Sequence, residues 1–223
     1  RQMCIRDSND PVAVTAEGTP VRIVRNAETN LGDLCADAYR ALSNADIAFV
    51  NGGGIRKQIE AGDITLDDIY SVHPFGNTMC VIRVTGQQVL DALEWGARAV
   101  PSENGGFLQV SGLTYEIHTG VASSAEKDEN GMFTRVSGEY RVKNVMVGGQ
   151  PLELDKTYTL ASHNYMLLGH GDGYTMFDGC EVLGEDMMVD NQVLITYITT
   201  TLGGVVGEQY ANPYGDGRIV AVE

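Results

Sequence analysis

Residues 28–56, ETNLGDLCADAYRALSNADIAFVNGGGIR, decide the fold of this chain. Apolar side chains recur at steps of three and four and define one helix face: Leu31, Leu34, Cys35, Ala38 and Leu42. This spacing predicts a helix over residues 28–43, capped by Thr29 or Asn30, and a short apolar strand follows over residues 46–50. The strand ends in three glycines, which lack a Cβ and let the backbone approach a ligand closely.

Helices and short strands continue to alternate towards the C-terminus. Three further helices are predicted, over residues 65–72, 87–99 and 190–202. Thr65 caps the first of these helices, and Gly203 ends the last. The predicted strands cover residues 78–84, 113–118, 158–162 and 218–222, with a polar loop over residues 121–131 and a hairpin whose tip is Gly148-Gly149. This interleaving of helices and short strands predicts a single mixed α/β domain.

The composition excludes several classes of protein. The chain has 223 residues, of which 43% are hydrophobic, and 30 Asp+Glu against 15 Lys+Arg give a net charge of −15. This is the composition of a globular protein, and no run reaches the ~18 apolar residues that a membrane-spanning helix needs. An acidic chain repels nucleic-acid polymers, so a few placed arginines must hold any phosphate that is bound here.

Two glycine-rich loops are the candidate ligand-binding segments. In NGGGIR, residues 51–56, exposed backbone N–H groups together with Arg56 can hold an oxyanion, but a plain glycine-rich turn beside a surface arginine is an equally good interpretation. In GHGDGY, residues 169–174, Asp172 can accept hydrogen bonds from two sugar hydroxyls. Neither loop has the context of a P-loop or of a dinucleotide fingerprint.

Other residues indicate binding without catalysis. Phe75 and Tyr165 lie in predicted loops, where they can either stack on a planar base or anchor their loops to the core. The four histidines form no cluster with metal-ligand spacing, and no GxSxG motif is present. Four dispersed cysteines argue against structural zinc, and Cys35 and Cys80 are predicted to be buried. The chain therefore offers groups that hold a ligand and none that cleave it.

Four motifs in a fixed order carry a family resemblance: ETNLGDLCADA, NGGGIRKQIEAGDIT, HPFGNTM and SHNYMLLGHGDGYTMF. Together they resemble the C-terminal domain of the 5'-nucleotidase / UDP-sugar hydrolase / 2',3'-cyclic-nucleotide phosphodiesterase family over residues 21–222. The resemblance implies an α/β (α+β) fold over residues 21–223, a single layered domain with mixed β-sheets flanked by helices. This domain is expected to bind a nucleotide or nucleoside. It also implies that an N-terminal metallophosphoesterase domain, which is missing from this chain and holds two divalent metal ions, performs the hydrolysis in cis.

The resemblance also implies a role for each of eight residues. Arg25 and Arg56 correspond to phosphate-contacting arginines, with Arg22 as a further candidate, and Asn51 faces the base or the phosphate. Phe75 and Tyr165 correspond to two aromatic side chains that stack on the base. The remaining implied contacts are Asn77 and Gly105 with the base and Asp172 with the ribose hydroxyls.

Further expectations concern the whole protein and its start. The resemblance implies a phosphoric monoester hydrolase that is extracellular, periplasmic or associated with the cell wall, with no cofactor in this chain, which alone is expected to be inactive. A parent with cyclic-phosphodiesterase or UDP-sugar hydrolase preference, or a non-catalytic surface interaction module, remains an alternative. Residues 1–20 are expected to be a disordered or non-native leader, since the opening RQMCIRDS resembles neither the family nor a secretory signal.

Overall fold

A computed structural model describes residues 20–223 of the chain, together with the two short strands Gln2–Met3 and Ala13–Val14. The expected leader, residues 1–20, lies almost entirely outside the described residues. The helices are α1 (Asn30–Ser43), α2 (Leu66–Val72), α3 (Gly86–Ala97), α4 (Asn164–Leu167) and α5 (Asp190–Thr196). The strands are β1 (Gln2–Met3), β2 (Ala13–Val14), β3 (Pro20–Val21), β4 (Ile47–Asn51), β5 (Gly62–Asp63), β6 (Met79–Thr85), β7 (Leu108–Ser111), β8 (Leu113–His118), β9 (Ala125–Lys127), β10 (Phe133–Val136), β11 (Val142–Val147), β12 (Gln150–Pro151), β13 (Thr157–His163), β14 (Glu181–Gly184) and β15 (Ile219–Val222).

A mixed five-stranded sheet with the order β14-β6-β13-β4-β7 lies at the centre of the molecule. Strand β13 runs parallel to β4, with Leu160 opposite Ile47, and antiparallel to β6 over its whole length. A second sheet has the order β12-β11-β8-β15, in which β15 is parallel to β8 and the other pairs are antiparallel. Both sheets are therefore mixed, as the fold class predicts.

Both faces of the central sheet are buried, and side chains alternate between two cores. Ile47 and Phe49 of β4 point into a core shared with α3 and the second sheet, whereas Ala48 and Val50 point into a core shared with α1, α2 and α5. This alternation is the period of two that any strand imposes. The molecule therefore has three layers: α1, α2 and α5 on one side, the central sheet in the middle, and α3 with the second sheet on the other side. This arrangement confirms the predicted architecture.

Local capping explains where the helices begin. The Thr29 hydroxyl accepts a hydrogen bond from the N–H of Gly32, which confirms Thr29 as the cap of α1. Thr65 and Asp68 form a reciprocal capping box at α2, and Thr85 and Gln88 form one at α3. The two cysteines predicted to be buried, in α1 and β6, are fully enclosed.

Four segments differ from the sequence-based predictions. Tyr165, predicted to lie in a loop, is part of the short helix α4. The predicted polar loop at residues 121–131 contains β9, which pairs with β10, because its polar side chains lie on a partly exposed two-stranded ribbon. Strand β14 was not predicted, since its side chains are mostly exposed and show no alternation. The last helix is α-helical only to Thr196 and continues as a π-helical turn over Tyr197–Thr201, where the N–H of Leu202 bonds to the carbonyl of Tyr197.

Candidate functional site

One cleft of about 370 Å³ brings together all eight residues singled out in the sequence. Its lining consists of Arg25, Asn51, Gly53, Gly54, Arg56, Phe75, Asn77, Gly105, Tyr165 and Asp172. These residues come from five separate stretches of the chain, so the cleft exists only in the folded domain. Gly53 and Gly54 are the two lining residues that were not among the eight.

The floor of the cleft is built where two parallel strands end. Asn51 is the last residue of β4 and His163 is the last residue of β13, and these strands are neighbours in the central sheet. The chain then makes a 3₁₀ turn over Gly52–Gly54 after β4 and enters the short helix α4 after β13. Ligand sites commonly form at the carboxyl ends of parallel strands, because the loops that leave the sheet converge there.

The glycine loop has a packing role that corrects one expectation. The N–H groups of Gly52 and Gly53 donate to the carbonyls of Phe107 and Gly105, at 2.7 Å each, and the N–H of Arg56 donates to the carbonyl of Val72. Most of the loop's N–H groups are therefore engaged within the protein, and the predicted cradle of exposed N–H groups does not form. An anion in the cleft would be met chiefly by side chains.

Two loops approach each other through glycines at one wall. A Cβ on Gly53 would lie 3.0 Å from the carbonyl oxygen and 3.1 Å from the Cα of Gly105. Contacts of this length are tighter than most real Cβ contacts, so a side chain at Gly53 would require the Gly105 backbone to shift by a few tenths of an ångström. A Cβ on Gly105 would make only an ordinary van der Waals contact, since the nearest atom, the Cα of Gly53, would lie 3.9 Å away. The close approach is thus required at Gly53.

Asp172 lies at the centre of a polar network. Its Oδ2 accepts a hydrogen bond from Asn51 Nδ2 at 2.6 Å and its Oδ1 accepts one from the Tyr165 hydroxyl at 3.2 Å. The backbone of Asp172 has a φ of 55°, in the left-handed region, and its carbonyl accepts a hydrogen bond from Trp95 Nε1 at 2.9 Å. These contacts fix the carboxylate at the cleft wall in a backbone conformation that the fold must hold in place.

The positive charge of Arg22 is neutralised by a nearby carboxylate, whereas Arg25 lacks such a direct partner among the described residues. Arg22 pairs with Glu103 through its Nε at 2.9 Å, and this hydrogen bond lowers the pKa of Glu103. Arg25 Nε is buried and has no hydrogen-bond partner among the described residues. Burial, with the positive charges of Arg22 and Arg56, lowers the pKa of Arg25. A partly buried cation with an unpartnered donor beside a second cation is an arrangement that an anionic ligand would relieve.

The two aromatic side chains remain available to a ligand. Phe75 is 59% exposed and Tyr165 is 44% exposed, although both line the cleft. Both residues keep exposed surface that a ligand could cover, although the Tyr165 ring also packs against His163, with 5.9 Å between the ring centroids. The Arg56 guanidinium carbon lies 5.7 Å from the centroid of the Phe75 ring, within the range of a cation–π contact.

Asn77 is held by backbone contacts on both sides. Its N–H donates to Asp190 Oδ2 at 3.2 Å, and its carbonyl accepts from the N–H of Asp190 at 2.8 Å. Burial raises the pKa of Asp190 to about 6. This pairing ties the turn that carries Phe75 and Asn77 to the start of α5.

Comparisons with known proteins identify the family of this chain. The family model for the 5'-nucleotidase, C-terminal domain, matches residues 11–179. This chain belongs to that family. The chain is 36% identical over 203 residues to the trifunctional nucleotide phosphoesterase protein YfkN of Bacillus subtilis, covering 89% of this chain and 13% of that protein. It is 34% identical to the 5'-nucleotidase of Vibrio cholerae, covering 79% of this chain and 28% of that protein.

A solved structure extends the agreement to the whole fold. The 5'-nucleotidase precursor from Thermus thermophilus superposes with a TM-score of 0.74 and 31% identity, covering all of this chain and 40% of that one. The NAD nucleotidase of Haemophilus influenzae shares the fold, with a TM-score of 0.69. This member of the 5'-nucleotidase C-terminal domain family thus spans well under half the length of the relatives it matches. The family resemblance drawn from the motifs is confirmed.

Within the part of this family domain that the structure describes, one cluster of three acidic residues has the spacing of metal ligands. Ligand atoms of Glu28, Asp33 and Asp216 lie within 4.8 Å of one another. Arg218 already pairs with both aspartates, at 3.5 and 3.0 Å, and Glu28 accepts three backbone N–H groups. Burial raises the pKa of Asp33 to about 9. The charges of this cluster are therefore already compensated within the protein, by Arg218 and by backbone N–H groups.

Among the described residues, no helix combines the length and apolar character that crossing a bilayer requires.

His163, which contacts Asn51 beneath the cleft, was not recognised as a site residue in the sequence. Its position between the predicted strand, residues 158–162, and Asn164-Tyr165 was the available signal, but the parallel pairing of β13 with β4 was needed to interpret it.

Proposed function

We propose that this domain binds a nucleoside 5'-monophosphate or a related nucleotide for hydrolysis by an N-terminal two-metal phosphoesterase domain. The observation that carries the proposal is the composition of the cleft, which combines two exposed aromatic rings, two arginines and one carboxylate. A nucleotide has a planar base, a diol and a phosphate, and each matches one of these groups.

The ligand is divided among the residues by their chemistry. Arg25 and Arg56 hold the phosphate, because a guanidinium donates two parallel charge-assisted hydrogen bonds. Asp172 holds the ribose hydroxyls, because a carboxylate accepts about four hydrogen bonds and the network described above uses two of them. Phe75 and Tyr165 stack on the base.

The parent protein is proposed to be a 5'-nucleotidase-type hydrolase. The relatives are named as nucleotidases and a nucleotide phosphoesterase, and this chain covers 13% of one and 28% of another, which leaves room for a further domain. Two divalent metal ions in that domain would polarise the phosphate and activate the attacking water. A location outside the cytoplasm, in the periplasm or at the cell wall, remains a prediction from the family.

Calorimetric titration with adenosine and AMP tests the division of the ligand. Arg56→Ala should weaken AMP by roughly 1.5–3 kcal/mol and leave adenosine nearly unchanged, since only AMP carries the phosphate. Asp172→Ala should weaken both ligands similarly and spare a 2',3'-dideoxy analogue. Arg135→Ala, which removes an exposed arginine outside the cleft, serves as the charge-matched control.

Two outcomes would contradict the proposal. Equal losses for adenosine and AMP in Arg56→Ala would make Arg56 a structural support of the cleft. If neither ligand bound the wild-type chain at millimolar concentration, the alternative of a non-catalytic interaction module would be favoured.

A further inference from the structure

His163 lies directly beneath the cleft without lining it. The side chain is buried, it ends β13, and its ring is 5.9 Å from the Tyr165 ring and 6.4 Å from the Tyr39 ring. Its Nε2 lies 2.9 Å from Oδ1 of Asn51. Asn51 in turn donates from Nδ2 to Asp172. The three side chains thus form a chain of hydrogen bonds that leads from the protein interior to the cleft wall.

The direction of each hydrogen bond follows from the acceptor at the cleft. An ionised carboxylate only accepts, so the Asn51 amide must turn its Nδ2 towards Asp172. Oδ1 then faces His163 and needs a donor, which requires the His163 tautomer with the proton on Nε2. Burial lowers the pKa of His163 to about 4, so the ring is neutral at physiological pH and has one donor to give.

We propose that His163 is a positioning residue that fixes the orientation of the Asn51 amide and, through it, holds Asp172 ready for the ribose hydroxyls. This inference rests on the proposed function for the identity of the ligand. Without a donor at residue 163, the Asn51 amide can rotate by half a turn. The rotated amide would present Oδ1 to Asp172, which is repulsive, and the carboxylate would leave its place.

The effect should therefore be specific to the diol. Adenosine uses Asp172, whereas 2',3'-dideoxyadenosine offers that carboxylate no hydroxyl. A defect in positioning should separate these ligands, but a general loosening of the cleft should weaken both alike. This difference distinguishes a positioning role from a merely structural one.

Two nearly isosteric variants provide the matched test. His163→Gln keeps an N–H donor near the position of Nε2, whereas His163→Met has a similar length and no donor. Calorimetry should show adenosine binding roughly tenfold weaker in His163→Met, the loss expected for one hydrogen bond to a charge-coupled group, and within about threefold of wild type in His163→Gln. Dideoxyadenosine should bind all three proteins alike. Thermal melting checks that both variants are folded, and Met suits a buried site at least as well as Gln.

Either of two results would overturn the inference. One is wild-type adenosine affinity in His163→Met, and the other is an equal loss of adenosine and dideoxyadenosine in that variant.

A ligand-free measurement separates this inference from the proposed function. Nitrogen NMR of the imidazole ring in the wild-type chain should show a protonated Nε2 and an unprotonated Nδ1 for His163. The side-chain amide signals of Asn51 should be preserved in His163→Gln and changed in His163→Met. A protonated Nδ1, or Asn51 signals that ignore the substitution, would refute the positioning role. If these results hold while adenosine fails to bind, the proposed function is wrong and the positioning of Asp172 stands.

Discussion

The exposed ring of Phe75 allows binding to be separated from stability. Phe75 is 59% exposed and directly precedes Gly76, whose φ is 67°. Its ring makes one described ring contact, with the Arg56 guanidinium. Phe75→Ala should therefore leave the free energy of unfolding within about 0.5 kcal/mol of wild type, as for other surface substitutions. The same substitution removes the surface on which the base is proposed to stack.

The expected loss of affinity follows from the exposed area. Aromatic side chains present about 150–250 Å², so an exposed fraction of 59% leaves roughly 120 Å² for a ligand to cover. Covering one face at about 25 cal/mol per Å² contributes about 1.5 kcal/mol, which lies within the ~1–3 kcal/mol found for a stacked base. Adenosine should bind Phe75→Ala roughly 5- to 150-fold more weakly.

Titration calorimetry with adenosine, paired with urea unfolding, measures both quantities. Phe75→Tyr keeps the ring and should bind within a fewfold of wild type. Tyr214→Ala removes an aromatic ring that is 62% exposed and lies outside the cleft, so it should change neither quantity. Adenosine affinity within twofold of wild type in Phe75→Ala would refute the stacking assignment.

Three further outcomes are expected. Burial lowers the pKa of His73 to about 4, so between pH 6.5 and pH 4 the unfolded chain binds a proton that the native state does not. This group should therefore lower the free energy of unfolding by about 1.4 kcal/mol for each pH unit towards pH 4. Urea titrations at pH 7 and 5 should show a smaller fall in His73→Gln than in wild type or in the exposed control Tyr70→Gln. Gly53→Ala should displace the Gly105 loop and weaken adenosine binding, whereas Gly120→Ala, whose Cβ would meet nothing within 4 Å, should be neutral by the same titration. The purified chain should release no phosphate from AMP with added Mn²⁺ or Zn²⁺ beyond a metal-only blank, and turnover above that blank would contradict the assignment of catalysis to another domain.

The local parts of the fold were predictable from the sequence. Residue spacing and capping chemistry act over one or two helical turns, so Thr29 and Thr65 mark the starts of α1 and α2 correctly. The hairpin at Gly148-Gly149 was predictable for the same reason, since both glycines have positive φ values between β11 and β12.

Long-range pairing was not predictable from the sequence. Strand β13 is inserted between β6 and β4, although more than seventy residues separate it from either in the chain. Nothing in the local pattern of residues 157–163 specifies that register. The role of His163 depends on it, because the parallel neighbour β4 brings Asn51 within hydrogen-bonding distance. The engagement of the Gly52 and Gly53 N–H groups likewise depends on the loop around residues 105–107, which comes from elsewhere in the chain.

The charge of the chain and the charge of the cleft act at different distances. A net charge of −15 opposes the approach of a nucleotide, but at physiological salt such a field is largely screened beyond about 8 Å. Outside the cleft lining, Glu103 compensates the charge of Arg22. Arg25 Nε has no hydrogen-bond partner in the part of the chain that the structure describes, and the charge of Arg56 helps to lower the pKa of Arg25. The repulsion between these two cations is a cost in the free domain that a bound phosphate removes. The proposed capture of phosphate would therefore depend on the placement of two side chains. Because a ligand that binds only the native state stabilises it, phosphate binding should also raise the stability of the domain.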